Sequence, residues 1–227
     1  RYIMNVAIRR DGSSRFGKNN KWGTFPSVAL AWRANEESFL RNVSWIDNLK
    51  LRLSWGESGQ SAIDPYQTVG LLGSSTYSFN NDLASGLYPK TMSNKNLTWE
   101  TTSVFDLGVD FGFLKNRING TVEFYLQNTK DLLLKRQLPV VSGFSSVMSN
   151  VGSTRNKGIE ITLNTRNIMN RNFTWSTDLT FSANKEEIVE LYNGKTDDVG
   201  NLWFIGQPID VYYNYKKIGI WQNTEND

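Results

Sequence analysis

Asp106 and Asp110 stand four residues apart in the stretch TWETTSVFDLGVDFGFL, with Glu100 just before them and Glu123 just after. On a strand, side chains alternate between faces, so Glu100, Asp106 and Asp110 project from the same side. Paired carboxylates on one surface are the equipment of glycoside hydrolysis, one acting as acid and the other as base or nucleophile. The same acids, balanced by Lys50, Arg52 and Arg117, equally make a charged wall facing water. Composition favours the wall. The 227 residues include no His and no Cys, which removes thiol nucleophiles, disulfides, His-based acid–base pairs and nearly all zinc sites. With no nucleophile–base pair, the chain reads as no enzyme, and an all-β hydrolase becomes a distant third hypothesis.

Other chemistries find no footing. No P-loop or dinucleotide fingerprint occurs, and the oxygen-rich NTEND at residues 223–227 matches no calcium-loop spacing. No cofactor and no metal are expected. The formal net charge is only +3, and no run of five or more basic residues occurs, so no nucleic-acid partner is expected. Apolar runs are only a few residues long, which excludes a membrane-spanning helix but not a barrel.

The elements that must position these residues are strands. The chain opens on alternation, with Tyr2, Met4, Val6 and Ile8 on one parity. After a polar loop at 11–21, a second strand over about 23–34 carries Pro26, Val28, Leu30 and Trp32. Residues 35–48 read as a short helical turn capped by Asn35. Leu49, Leu51, Leu53 and Trp55 then alternate with Lys50, Arg52 and Ser54. A long Gly/Ser/Asn/Tyr-rich connection covers 57–97, with a small hairpin expected around 68–79.

The clearest alternation follows. Trp99, Phe105, Leu107, Val109, Phe111 and Phe113 share one parity. A tight turn at 114–117 leads into a run of about 20 residues, beyond the usual strand length of about 5–6. There Ile118, Val122, Phe124, Leu126, Leu132 and Leu134 alternate with polar residues. A loop at 139–146 precedes a strand around 147–166 carrying Ile159, Ile161 and Leu163. A short turn at 167–172 precedes Phe173, Trp175, Leu179 and Phe181. In residues 186–194, Ile188, Val189 and Leu191 read as a continuation of that strand rather than a helix. YYNYKKIGIW, at 212–221, reads as a final strand, for about eight in all.

Short links at 35–48, 114–117 and 167–172 alternate with long ones after Arg10, Gly56, Leu138 and Leu191. An up-and-down meander puts these two kinds of link at opposite ends, as in outer-membrane barrels. Aromatics gather at strand ends, where a half-buried ring suits a bilayer interface. Trp32, Trp99, Phe111, Phe113, Phe173 and Trp175 are the expected interface residues. The apolar parity should face lipid. The other face, with Arg33, Arg52, Glu100, Asp106, Asp110, Glu123, Glu160 and Asp178, should line a wet lumen.

Five stretches carry a family resemblance: RRDGSSRFGKNNKWGTFPSVALAWR, WIDNLKLRLSWGESGQ, LTWETTSVFDLGVDFGFLKNRINGTVEFYLQNTKDLLL, LPVVSGFSSVMSNVGSTRNKGIEITLNT and YKKIGIWQ. In order and over nearly the whole chain, they resemble the β-barrel of SusC/RagA-type TonB-linked outer-membrane proteins of Bacteroidetes. The DGSSRF loop (11–16) and NVGSTRNKGIE (150–160) are the most specific. The resemblance implies a 22-stranded antiparallel transmembrane barrel filled by a plug. It implies a SusD-like surface lipoprotein as lid, and import of oligosaccharides or peptides driven by TonB. Residues 1–227 are then expected to be an arc of that barrel in the bacterial outer membrane, without signal peptide, TonB box, plug or last strands.

Four loop aromatics, Tyr66, Tyr77, Phe79 and Tyr88, have two readings: stacking on a sugar or gripping the lid, and packing the loop on itself. In the DGSSRF loop, Asp11 and Ser13 are expected to bond nearby backbone, Gly12 to supply a positive φ, and Arg15 to pair with Asp11. Gly152 and Gly158 should mark bulges or close backbone approach. The rival to the barrel is a secreted β-sandwich that binds glycans through exposed Trp, though its strands should be shorter.

Overall fold

Period-two alternation produces long strands, and short links fold each onto the one before. The computed structural model describes residues 1–217 and 219. Its strands are β1 (Tyr2–Gly12), β2 (Trp22–Arg33), β3 (Ile46–Gln60), β4 (Leu72–Phe79), β5 (Asp82–Pro89), β6 (Glu100–Phe113), β7 (Ile118–Lys130), β8 (Leu133–Gln137), β9 (Ser146–Asn150), β10 (Ser153–Met169) and β11 (Thr174–Glu190). Seven form one antiparallel sheet in the order β1-β2-β3-β6-β7-β10-β11. β4–β5 and β8–β9 are separate hairpins inserted in the long links. The sheet is not closed: β1 and β11 are its two ends, and among the described residues the outer edge of β11 meets only an isolated bridge from Ile188 to Ile205. Each main strand has 11 to 17 residues, against the 9–11 or so that a tilted strand needs to cross a bilayer.

Register sorts the side chains. One line of partners runs across the sheet through Met4, Leu30, Leu53, Leu107, Phe124, Ile159 and Ala183. The line one residue away runs through Ile3, Ala31, Arg52, Gly108, Glu123, Glu160 and Ser182. One face is therefore apolar and the other largely polar. Among the described residues no second layer covers the apolar face: Phe105 is 43 % exposed and Phe124 49 %. A soluble sheet buries such a face on a partner layer.

Among the described residues, one buried apolar cluster forms, at the long-link end. Phe16, Phe25, Ile63, Leu97 and Trp99 pack together, with Leu133 and Met148 against them. Trp99 meets Phe16 at 5.4 Å and Phe25 at 5.6 Å between ring centroids. Trp99 was expected among the interface aromatics. It is buried instead, because loops far apart in sequence fold over it.

Several expectations change in detail. The single run through 117–138 is two strands, broken where Asp131 takes a positive φ of 57°. The strand expected over 147–166 breaks likewise at Gly152, with φ 81°. A Cβ on Gly152 would sit 2.6 Å from the Glu190 carbonyl oxygen, so close backbone approach requires glycine there. The hairpin in the long connection runs over β4 and β5, turning at Asn80 and Asn81 with φ 48° and 72°. Such a left-handed pair matches the twist of the flanking strands. The 35–48 link begins with a 3-10 turn at Ala34–Glu36, and Asn35 does not cap it. Asn35 instead donates to the Asp47 carbonyl and accepts from the Leu49 N–H, tying the link to β3.

In the DGSSRF loop, Ser13 Oγ accepts from the Arg15 N–H as expected. Asp11, however, pairs with Arg9, and Arg15 donates to the Ser61 carbonyl. Gly12 ends β1 without a positive φ, since it still pairs with Trp22. Of the expected last strand, residues 212–217 have no regular structure, and 218 and 220–221 lie outside the described residues, as does NTEND. Among the described residues the main sheet has seven strands.

Candidate functional site

The polar face is built from the residues that share a parity with Arg52. Register places Arg33, Arg52, Glu100, Asp106, Asp110, Glu123, Glu160 and Asp178 on that one face. They do not form one cluster. Four charged groups meet at its centre. Arg52 on β3 donates to Asp110 on β6, through Nε at 3.0 Å and Nη2 at 2.8 Å. Its Nη2 also bonds Glu123 on β7. Lys50 Nζ reaches the other Asp110 oxygen at 2.8 Å.

This reach depends on a gap. Gly108 lies between Arg52 and Glu123 in register. A Cβ there would lie 2.9 Å from Arg52 Nη2, so the guanidinium crosses β6 over a bare backbone. Tyr125 covers Gly158 on the same face in a similar way, its ring 2.7 Å from where a Cβ would be. Long side chains on neighbouring strands thus fill the places glycine leaves, as in aromatic rescue.

The other acids are placed differently. Arg117, expected to balance them, instead donates to the Arg166 and Asn167 carbonyls at the short-link end. Asp106 and Glu160 make no ion pair among the described residues. Glu100 accepts from the Leu133 N–H, and Arg33 pairs with Glu36 at 2.7 Å. Asp178 faces Asn164 in register. The cluster is arranged to hold a wall in register, with spare carboxylate beside it.

At the short-link end, Trp45 meets Phe113 and Phe111 stacks on Phe113, each at 5.4 Å. Phe173 and Trp175 are exposed there. Trp32 donates its indole N–H to Glu37 at 3.1 Å, and the Tyr2 hydroxyl and Arg1 Nη1 donate to the same carboxylate at 3.0 Å each. These hydrogen bonds, Trp32 first, hold the Glu37 carboxyl below its ordinary range. Sequence reasoning missed this clasp, because nothing in residues 35–48 signals that three donors converge on one acid.

At the other end the loop aromatics are open to water. Tyr66, Tyr77 and Phe79 are exposed, with Tyr88 somewhat less so. Tyr77 and Phe79 lie 4.8 Å apart between ring centroids, and register puts Tyr88 on the same face of the β4–β5 hairpin. Within the hairpin, Tyr77 and Phe79 rest on each other, and the Tyr88 ring covers Gly73, 2.7 Å from where a Cβ would be.

Known proteins resemble this chain in sequence and fold. The family described as TonB dependent receptor-like, beta-barrel matches residues 1–215. The TonB-dependent receptor SusC of Bacteroides thetaiotaomicron is 41% identical over 204 residues, covering 87% of this chain and 20% of its own length. TonB-dependent receptor P26 of Formosa agariphila is 38% identical over 234 residues, covering 99% of this chain and 24% of its own. Among solved structures, the RagAB peptide transporter superposes with a TM-score of 0.82 at 32% identity, over 91% of this chain and 23% of that one. The chain thus spans between a fifth and a quarter of the length of the curated relatives it matches.

Proposed function

This chain belongs to the TonB-dependent receptor β-barrel family, with SusC among its relatives, and we propose that it forms part of the wall of an outer-membrane transporter importing oligosaccharides or peptides. The observation that carries this reading is the pairing of an uncovered apolar face with a charged face across seven strands. In a bilayer, backbone groups must pair with neighbouring strands. The edges of β1 and β11 are therefore met by further strands of the same receptor, which, as the family resemblance implies, closes as a barrel of 22. Residues 1–227 are one part of that barrel domain, and the plug, the TonB box and the remaining strands belong to the rest of the receptor.

In this reading Arg33, Arg52, Glu100, Asp106, Asp110, Glu123, Glu160 and Asp178 face the water-filled passage. Trp32, Phe111, Phe113, Phe173 and Trp175 sit at the bilayer interface. Tyr66, Tyr77, Phe79 and Tyr88 stand on the extracellular side, where a SusD-like lipoprotein lids the opening, and contact cargo or lid. TonB acts through the plug, and its energy gates passage. The wall itself does no bond chemistry.

The test is to purify the full-length receptor from its host membrane and identify what comes with it by mass spectrometry. Expected are an oligosaccharide or a peptide, together with a lipoprotein partner, and uptake that stops when TonB is deleted. Recovery of the full-length protein as a detergent-free soluble monomer would overturn the reading. That outcome favours the secreted β-sandwich instead.

A further inference from the structure

The apolar face carries one feature that a plain lipid-facing surface does not require. Lys157 on β10 and Lys185 on β11 are direct cross-strand partners. Both share a face with Ile159 and Ala183, and Lys157 faces Leu126 on its other side. Like charges directly opposite one another destabilise a sheet pair. Relief from neighbours is slight. Lys157 makes no ion pair among the described residues, and Lys185 reaches Glu187 only at 3.9 Å. Glu187 also serves Arg155 at 3.4 Å. Two cations thus share one carboxylate, and Lys157 has none among the described residues.

Position matters as much as charge. The lysine pair lies on the register line of Trp55, Phe105 and Leu126. On the next line toward the long loops stand Glu57, Ser103, Asn128, Arg155 and Glu187, all polar. The pair therefore marks the upper border of the apolar belt. Phe105 to Phe113 then spans about 26 Å along β6 at roughly 3.3 Å per residue, comparable to the belt of about 25 Å on such barrels once tilt and the end rings are counted. Directly below the lysines, Phe105, Leu107, Phe124, Leu126 and Ile159 line a shallow groove of about 690 Å³.

We propose that Lys157 and Lys185 bind the phosphate of a phosphorylated membrane lipid whose acyl chain lies in this groove. Two ammonium groups on flexible stems can converge on one phosphate, which turns an unfavourable pair into a bridged one. Their stems cover apolar surface while the heads stay at the polar border. Arg155 adds a third positive charge one line above. The inference rests on the reading of this face as lipid-facing, and it gives that face a preferred lipid.

The experiment uses the full-length receptor in neutral detergent and native mass spectrometry. Phosphatidic acid and phosphatidylcholine are offered separately, with and without millimolar inorganic phosphate. Expected is preferential retention of phosphatidic acid, resistant to inorganic phosphate. Retention should fall about thirty-fold in Lys157→Gln/Lys185→Gln, from about five-fold per basic side chain at a membrane surface. The same variant should keep phosphatidylcholine as the wild type does and show unchanged heat-modifiable migration. Equal retention of the two lipids, or undiminished phosphatidic acid on the variant, overturns the inference. Full displacement by inorganic phosphate overturns it too, pointing to a free anion. If neither lipid is retained and the receptor is monomeric without detergent, the lipid-facing reading itself has failed.

Discussion

The guanidinium of Arg52 lies 2.9 Å from the point where a side chain on Gly108 would begin. That absence lets one residue of β3 tie β6 and β7 together, through Asp110 and Glu123.

Filling the gap should break the longer tie and spare the sheet. In Gly108→Ala the guanidinium must swing off β6 and leave Glu123, because the clashing atom is the end of a flexible chain. Both partners are under one-third exposed, so a loss of about 1 kcal/mol is expected. Urea unfolding of the full-length receptor in lipid vesicles measures it. A cycle with Glu123→Gln should be non-additive, since both changes remove the same bond. Additive losses would show that Arg52 and Glu123 do not interact.

Adjacent residues on β7 should respond in opposite ways to one substitution. Val122 belongs to the apolar face and Thr121 to the polar face. Val122→Arg places a charge against acyl chains and should cost about 2–4 kcal/mol. Thr121→Arg faces Asp110 in register and should be nearly neutral. The same vesicle unfolding measurement compares them, and equal costs would refute the assignment of faces.

The Glu37 clasp should weaken in acid. The folded carboxyl titrates below its ordinary value. Its contribution is therefore present above the unfolded carboxylate range, near pH 4.3 or so, and is lost as pH falls through the folded value. Hydrogen exchange of the 34–45 link should quicken at acid pH in the wild type. In Glu37→Gln it should be fast at every pH, with no acid step. A step that persists in the variant would assign it to another group.

Trp99 should tolerate loss of its nitrogen but not of its ring. Its indole N–H is buried without a partner among the described residues, so Trp99→Phe removes an unsatisfied donor and should cost little. Trp99→Ala empties the loop core and should cost about 3–5 kcal/mol of local stability. Protease susceptibility of the long loops in intact receptor reports both, and equal sensitivity of the two variants would exclude this packing.

The strands were legible because their signal is local. Phe105 to Phe113 alternate without a break, and the turn at 114–117 announces itself by length. The polar set from Arg33 to Asp178 follows from parity alone. Contacts made at a distance were not legible. The burial of Trp99 depends on Phe16 and Phe25, more than 70 positions earlier. The partner of Arg52 depends on β3 pairing with β6 across the long connection that holds the β4–β5 hairpin. The break at Asp131 is a backbone state that a non-glycine residue does not advertise. Arg117 looked like a counter-charge because parity records which side a residue takes, but not how far it lies from the acids.

Since alternate positions on each strand answer to different surroundings, two selective pressures are written into the same stretch of gene without sharing a codon. In the proposed reading, residues of one parity can drift to suit new cargo while those between them keep the fit to the bilayer. A receptor built this way can change its diet by point mutation without renegotiating its place in the membrane.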